Sequence, residues 1–411
     1  MDQRIQTKSV PAPSPMEGAS FKVVPHSGAK QLVVFLTAAL GQGTPTNTFN
    51  YWGAGNTLPV HRIFVTNGPR NEWYQDGIPG LGSSVPDTLS TLTQWGRHFG
   101  VEETLFVGTS MGAYGAILFG AQMNARVLAF GPETTIMLPS SRSEKMIHRD
   151  TTVRYPSLHA MIKNSSRPVT VFCSERDPID LYCMSLAKDL PNYVARPMRW
   201  ASHGVAGHLH NRKRLVPLLN NFIEGTPLGP MPEDGNILDR RGFAEAFYKL
   251  HVAHTKGEWK AAAKIASGLS EGNSQSDHVY VLLGQSLIKL DRYEEALQAF
   301  STANAILPDT REILFFIGST YRLLRDYDQA LRFHKRTIKL FPKEPKVYYE
   351  LSLIYSKLGL YKRAYSNALA ASRLVPSNKV YAKAVRDCKA RVDAVPTDFS
   401  KEAIRFRSVY G

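Results

Sequence analysis

The sequence predicts an α/β unit followed by an all-α repeat array, and three observations carry this. From residue 20 to about 225, short apolar runs alternate with amphipathic stretches, the rhythm of a mainly parallel sheet with helices on both faces. From Gly225 to Pro232 the chain then reads Gly-Thr-Pro-Leu-Gly-Pro-Met-Pro, a linker composition, and no strand signal follows it. Beyond about residue 243, landmarks recur every 34 residues. At 411 residues the chain also exceeds one ordinary core.

In chain order, residues 1–19 are rich in Ser, Pro and Gly and are expected to form a flexible arm. Strands are expected at Phe21–Pro25, Gln31–Ala38, Arg62–Thr66, Glu103–Gly108, Arg126–Phe130, Pro168–Cys173 and Arg196–Ala201. Helices are expected at Asp87–Phe99, where Leu89, Leu92 and Trp95 recur at three-residue spacing, at Met111–Met123, and at Asn211–Glu224, where Leu215, Leu218, Leu219 and Phe222 share a face. Fewer than 40 residues separate Phe130 from Pro168, which leaves room for a small helical flap but not for a large lid. The expected domains are 20–225 for the sheet, 226–242 for the linker, 243–395 for the repeats with a capping helix at Lys379–Val392, and 396–411 for a basic tail.

Composition excludes several classes. Apolar residues at 43% and charged residues at 21% fit a folded soluble chain. No apolar run approaches the ~20 residues of a membrane span, and no secretory signal is visible, so no integral membrane segment and a cytoplasmic location are expected. Three cysteines, Cys173, Cys183 and Cys388, make no disulfide framework and suit a reducing compartment. The net charge of +15 is uneven: residues 312–411 hold 20 Lys+Arg against 9 Asp+Glu, a surplus of 11, which leaves 15 − 11 = +4 for the rest. Such a surface attracts nucleic acid, anionic lipid or an acidic partner, or is merely solvated. With no RNA-binding aromatic signature and no zinc-finger spacing, no nucleic acid partner is expected.

The sharpest local motif is Gly108-Thr109-Ser110-Met111-Gly112, which follows the apolar run Leu105-Phe106-Val107 and opens a helix of small residues. Strand, tight turn and helix around Gly-x-Ser-x-Gly form the context of a nucleophile elbow. A serine hydroxyl needs a base, and the base needs an orienting acid. Asp177, just past the strand at 168–173, is the preferred acid and Asp180 the alternate. His208, in Gly207-His208, is the preferred base, and His203, nearer the strand end, competes with it. His203, His208 and His210 fit no zinc pattern, so no metal and no cofactor are expected. The Met111 N–H is one expected oxyanion donor, and the loop after Gln31–Ala38, at Ala38 or Ala39, supplies the second. The aromatic segments Phe49–Trp52 and Asn71–Tyr74 either line a substrate groove or pack beneath long loops.

These features resemble the α/β-hydrolases in the elbow and in the order serine, acid, histidine. The chain departs from the common pattern in having Thr37-Ala38-Ala39-Leu40-Gly41 where many members carry His-Gly. Trp73-Tyr74, Ser110-Met111-Gly112 with Tyr114, and Phe130-Gly131-Pro132-Glu133 also look loosely like bacterial hydrolases of surface-polysaccharide clusters. The resemblance implies a serine esterase or acyl-transferring relative acting on a small-molecule or saccharide ester. A degraded hydrolase fold serving as a protein-interaction scaffold is the alternative, and a peptidase is a further rival.

In the second half, Leu283-Gly284, Ile317-Gly318 and Leu351-Ser352 align at the 34-residue period. Trp259, Tyr293, Tyr327 and Tyr361 keep the same step, as do Ala296, Ala330 and Ala364, and Pro308, Pro342 and Pro376. This resembles four tetratricopeptide repeats, the first degenerate, with Lys249-Leu250 in place of Leu-Gly. The resemblance implies a groove that binds a protein partner.

Overall fold

A computed structural model describes residues 12–13, 15–271 and 275–394. The basic tail expected at 396–411 lies outside the described residues, as do residues 1–11 and 14 of the expected arm. The chain divides into two compact units, Met1–Gly257 and Glu258–Gly411.

The first unit holds one sheet of eight strands among the described residues: β1 (Glu17–Gly18), β2 (Phe21–Val24), β3 (Gln31–Leu36), β4 (His61–Val65), β5 (Glu103–Thr109), β6 (Val127–Phe130), β7 (Val169–Ser174) and β8 (Tyr193–Met198). Their order is β1-β2-β4-β3-β5-β6-β7-β8. The β1–β2 and β2–β4 pairs are antiparallel and the others parallel. Nine helices are described with it: α1 (Trp52–Gly55), α2 (Val85–Phe99), α3 (Met111–Gln122), α4 (Arg142–Met146), α5 (His159–Asn164), α6 (Pro178–Ala187), α7 (Val205–Asn211), α8 (Leu215–Glu224) and α9 (Phe243–Thr255).

The unbroken apolar runs of β3 and β5 follow from burial on both faces. Val33, Phe35, Leu105, Val107, Leu128 and Phe130 pack with Val205, Leu209, Leu218 and Phe222 of α7 and α8. The alternate residues face α3: a side chain added at Gly115 would meet Leu36 and Tyr74, and one at Gly120 would meet Val127 and Phe106. From Met111 to Ala121 every residue of α3 is buried, which is why its apolar residues show no single stripe. Each large aliphatic side chain buried in these layers contributes about 1.5–3 kcal/mol.

Four expectations need correcting. Glu17–Gly18 pair with Lys22 and Phe21, so the arm ends in a strand. The last strand is Tyr193–Met198 rather than Arg196–Ala201; it has β7 as its single strand neighbour, an edge position that tolerates Pro197. The helix expected at Asn211–Glu224 is two helices, α7 and α8, separated at Lys213, whose φ is 59°. The region expected at 226–242 as a linker is pinned to the sheet. Asp234 accepts from Arg196 at 2.8 Å, Glu233 accepts from Arg214 at 2.6 Å, and the Ile237 N–H donates to Glu175 at 2.7 Å. The first unit therefore runs to Gly257 and includes α9, which the period assigned to the repeats.

The second unit is helical throughout its described residues: α10 (Trp259–Glu271), α11 (Asp277–Ile288), α12 (Tyr293–Ile306), α13 (Arg311–Leu323), α14 (Tyr327–Leu340), α15 (Pro345–Lys357), α16 (Tyr361–Leu374) and α17 (Lys379–Asp393). Ala296, Ala330 and Ala364 are fully buried, as close helix approach requires. Gly284 admits the ring of Phe300: an added Cβ would lie 2.6 Å from it. Gly318 does the same for His334 at 2.7 Å.

Candidate active site

Ser110 stands between β5 and α3 with φ 55° and ψ −121°, a conformation costly for any residue with a side chain. Its N–H donates to the Phe130 carbonyl at 2.8 Å, and its own carbonyl accepts from Ala113 and Tyr114 as α3 begins. The two flanking glycines follow from distance. A Cβ at Gly108 would lie 2.1 Å from the Gly112 carbonyl oxygen, and one at Gly112 would lie 2.1 Å from the Leu36 carbonyl oxygen. Backbone cannot retreat there as a flexible side chain would, so the turn closes only with hydrogen at both positions.

The structure brings three of the weighed residues together. The Ser110 hydroxyl lies 2.8 Å from His203 Nε2, and His203 Nδ1 lies 2.7 Å from Asp180 Oδ2. The Asp180 side chain is fully buried and His203 is partly exposed. Burial alone would push the imidazole down, but the charge and hydrogen bond of Asp180 outweigh it and hold the ring above its ordinary value. Gly131, at φ 64°, lets the backbone lie against this pair: an added Cβ would sit 3.0 Å from Asp180 Oδ2 and 3.2 Å from the His203 ring.

The two preferred partners sit elsewhere. His208 is on α7, and its Nε2 is buried without a hydrogen-bond partner. Burial and nearby Arg212 push that ring down. Asp177 is the N-cap of α6: its Oδ1 accepts from the N–H groups of Ile179 at 3.1 Å and Asp180 at 2.9 Å, and its Oδ2 pairs with Arg142. The sequence held a signal for this, because Asp-Pro is a cap followed by proline at the first helical position. Asp180 then falls one turn inside α6. The sequence likewise marks the histidine position, since the apolar Val205, Ala206 and Leu209 share one face of a short helix that carries His208 away from Ser110.

No motif or spacing in the sequence points to Arg142 of α4. Its guanidinium reaches Asp180 Oδ1 at 3.1 Å and Glu133 at 3.5 Å as well as Asp177. Asp177, Asp180 and His203 place ligand atoms within 4.8 Å of one another, a spacing suited to a metal, but Arg142 already bridges the two carboxylates.

The loop after β3 is held by side chains. The Ala38 N–H donates to Asn50 at 2.8 Å, the Leu40 N–H to Asn71 at 2.9 Å, and the Tyr74 hydroxyl to the Thr37 carbonyl at 3.0 Å. Among the described residues, the N–H groups of Ala39 and Met111 have no partner, which leaves these two expected oxyanion donors available. Trp73 and Tyr74 are buried packing, and Phe49 and Trp52 pack against Phe64. Phe49 and Trp52 also line a surface cavity of about 670 Å³ with Phe21 and Lys22, whose lining includes none of Ser110, His203 and Asp180.

Tetratricopeptide-repeat family models match residues 277–309, 313–345 and 345–377. The chain is 24% identical over 126 residues to an N-terminal acetyltransferase A complex subunit-like protein of Schizosaccharomyces pombe, covering 31% of this chain and 18% of that one. It is 23% identical over 112 residues to the BBSome complex member BBS4 of Bos taurus, covering 27% and 21%. The chain thus spans about a fifth of the length of the curated relatives it matches. Similar solved structures include MamA from Desulfovibrio magneticus RS-1, at 16% identity and TM-score 0.35 over 37% of this chain and 86% of that one. A thermophilic TPR protein of Thermus thermophilus is similar at 15% identity and TM-score 0.33 over 46% and 96%. The C-terminal region carries tetratricopeptide repeats, an architecture that docks proteins. No helix among the described residues is long and apolar enough to cross a membrane.

Proposed function

We propose that this chain joins a serine-hydrolase centre, an esterase or acyl-transferring one, to a protein-docking repeat domain. The observation that carries the reading is the hydrogen-bonded series Ser110–His203–Asp180 set on a strained strand-to-helix turn. The mainly parallel sheet with both faces covered, and the chain order serine, acid, histidine, support the resemblance to α/β-hydrolases. In this mechanism Ser110 Oγ attacks an acyl carbonyl while His203 Nε2 takes its proton. Asp180 holds the Nδ1–H and stabilises the imidazolium that forms. The N–H groups of Met111 and Ala39 receive the charge developing on the carbonyl oxygen. His203 then returns the proton to the leaving alcohol, and water or a second acceptor releases the acyl group by the same route. An acylated saccharide is the substrate class that the looser resemblance favours, and a cytoplasmic location fits three free, buried cysteines.

A second reading, a protein-interaction scaffold without catalysis, is favoured by a separate observation: the family-model matches fall within 277–377, on the repeats. The two separate cleanly. A fluorophosphonate probe should label the full chain at Ser110, and Ser110→Ala should abolish both labelling and hydrolysis of short acyl esters. A folded chain that neither labels nor hydrolyses supports the scaffold.

A further inference from the structure

Outside the three reacting groups lies a buried charge cluster that the mechanism above does not use. Glu133 follows Gly131-Pro132 at the end of β6 and is almost wholly buried. Its Oε1 accepts from the Arg142 N–H at 3.0 Å, and its Oε2 accepts from the Ser143 N–H at 3.1 Å and the Ser143 hydroxyl at 2.5 Å. One carboxylate thus fixes the first turn of α4, and with it the origin of the Arg142 side chain. The guanidinium then divides itself, with Nη1 on Asp180 Oδ1 and Nη2 on Asp177 Oδ2. Asp180 is left with one oxygen for Arg142 and the other for His203. The planar fork suits this division, because its nitrogens can serve two carboxylates at fixed angles.

We infer that Arg142 is a positioning residue of this site: anchored by Glu133, it orients the Asp180 carboxylate toward His203 and offsets the negative charge that the imidazole faces. The inference rests on the serine-hydrolase reading. Without Arg142, Glu133, Asp177 and Asp180 would face each other unneutralised at low exposure, a costly arrangement. The groups around His203 are few. Ser110 and the Gly131 backbone lie on one side, Asp180 and Asp177 come from α6, and Arg142 comes from α4. Behind Asp180 stand the Cys173 and Cys183 thiols and the Tyr193 hydroxyl, all pushed up by burial and so uncharged at neutral pH. His251 of α9 faces Arg142 and Asp177 and is pushed down by burial. Arg142 is therefore the permanent positive charge of the cluster. Burial opposes its charge, but Asp180, Asp177 and Glu133 outweigh that and hold it above the ordinary guanidinium range.

The test is a site-resolved NMR titration of the His203 ring in the full chain, assigned with His203→Gln, alongside the pH dependence of Ser110 labelling by a fluorophosphonate. Arg142→Gln should raise the His203 midpoint by about one pH unit and move the acidic limb of labelling with it. Asp177→Asn keeps an acceptor for the α6 cap and should lower the midpoint. Should Arg142→Gln fail to fold, Arg142→Gln/Asp177→Asn removes a matched pair of charges, and its midpoint should lie above that of Asp177→Asn alone. Midpoints unmoved by loss of Arg142, in either background, overturn the inference even if the rate falls, since a merely structural role leaves the titration in place. Midpoints that move as expected in the variants, while the wild-type chain never labels, sink the hydrolase reading instead.

Discussion

Replacing His203 and His208 in turn by glutamine gives the sharpest test of the site. His203 Nε2 is 2.8 Å from the Ser110 hydroxyl, so its loss leaves the nucleophile without a base. Removing one member of a group that acts as a unit costs about 10⁴-fold or more in turnover. His203→Gln should therefore lower the second-order rate of Ser110 labelling to near background. The variant should still fold, because Asp180 keeps its contact with Arg142 at 3.1 Å. His208 has a buried Nε2 with no partner, so His208→Gln breaks no hydrogen bond of that atom. Its rate should stay within about threefold of wild type, and its stability within about 1 kcal/mol. The assay is labelling at fixed probe concentration, with the modified residue located by mass spectrometry and folding checked by thermal denaturation. Equal loss in both variants, with both folded, refutes the assignment of His203.

The same geometry sets opposite pH trends for activity and stability. The imidazole accepts a proton only when neutral, and its folded pKa lies above the ordinary 6.5. Labelling should fall about tenfold per pH unit below that folded value. The stability that His203 gains from Asp180 runs the other way. It is fully present below the unfolded pKa and is lost as pH rises through the folded one. An activity profile that keeps its full rate well below pH 6.5 contradicts the assignment.

Three further outcomes follow from distances and burial. Gly112→Ala drives a Cβ to 2.1 Å from the Leu36 carbonyl oxygen and should cost about 3 kcal/mol or more, read as a lower midpoint in urea; a neutral result would mean that the elbow relaxes. His334 is fully buried with neither ring nitrogen hydrogen-bonded and is pushed down to about 3. Repeat stability should then fall by about 1.4 kcal/mol per pH unit as pH drops from 6.5 toward 3, and His334→Phe should remove that slope in hydrogen exchange of the 313–337 peptides. A chain ending at Gly257 should keep its fold and its labelling, whereas one ending at Glu224 loses Glu233, Asp234 and α9 and should aggregate or label slowly. Equal labelling by the two would show that the 226–257 segment adds nothing to the site.

Much of the frame was legible because parallel strands buried on both faces read as unbroken apolar runs. Five parallel strands, β3 to β7, lie where apolar runs stand, and Gly-x-Ser-x-Gly marks the turn between β5 and α3, whereas β8, Tyr-Val-Ala-Arg-Pro-Met at the sheet edge, carries no such run and begins three residues before its expected place. What misled was local chemistry serving a different purpose. Asp177 sits where an acid was expected, yet its oxygens cap α6 and meet Arg142. The Gly-His dipeptide drew attention to His208, but Leu209, its neighbour, packs into the core, and α7 turns His208 toward Arg212 and Arg214. Arg142 could not be found by spacing, because its partners come from the loop after β6 and from the start of α6, 9 to 38 residues away. The excess of basic residues near the end was legible as charge but not as pairing: Arg322 meets Glu350 at 2.5 Å and Arg336 meets Asp309 at 2.7 Å.

The degenerate first repeat has a physical explanation in the first unit. By period, residues 249 and 250 correspond to Leu283-Gly284, and glycine at that place makes room for the ring of Phe300. Lys249-Leu250 offers no such slot, and α9 turns its side chains to another use. Tyr248 stacks on Tyr182 of α6 with ring centroids 4.4 Å apart and nearly parallel. Its hydroxyl donates to the Pro139 carbonyl at 2.7 Å, and His251 bonds the Ser140 carbonyl at 3.2 Å. Pro139 and Ser140 lead directly into α4 and Arg142, while Tyr182 stands two residues beyond Asp180 on α6. One helix thus braces both elements that converge on the candidate acid. Glycine at 250 would remove a fully buried leucine from this helix and open a cavity costing about 2–5 kcal/mol. The helix that shares the period of the repeats therefore belongs, by packing, to the support of the site.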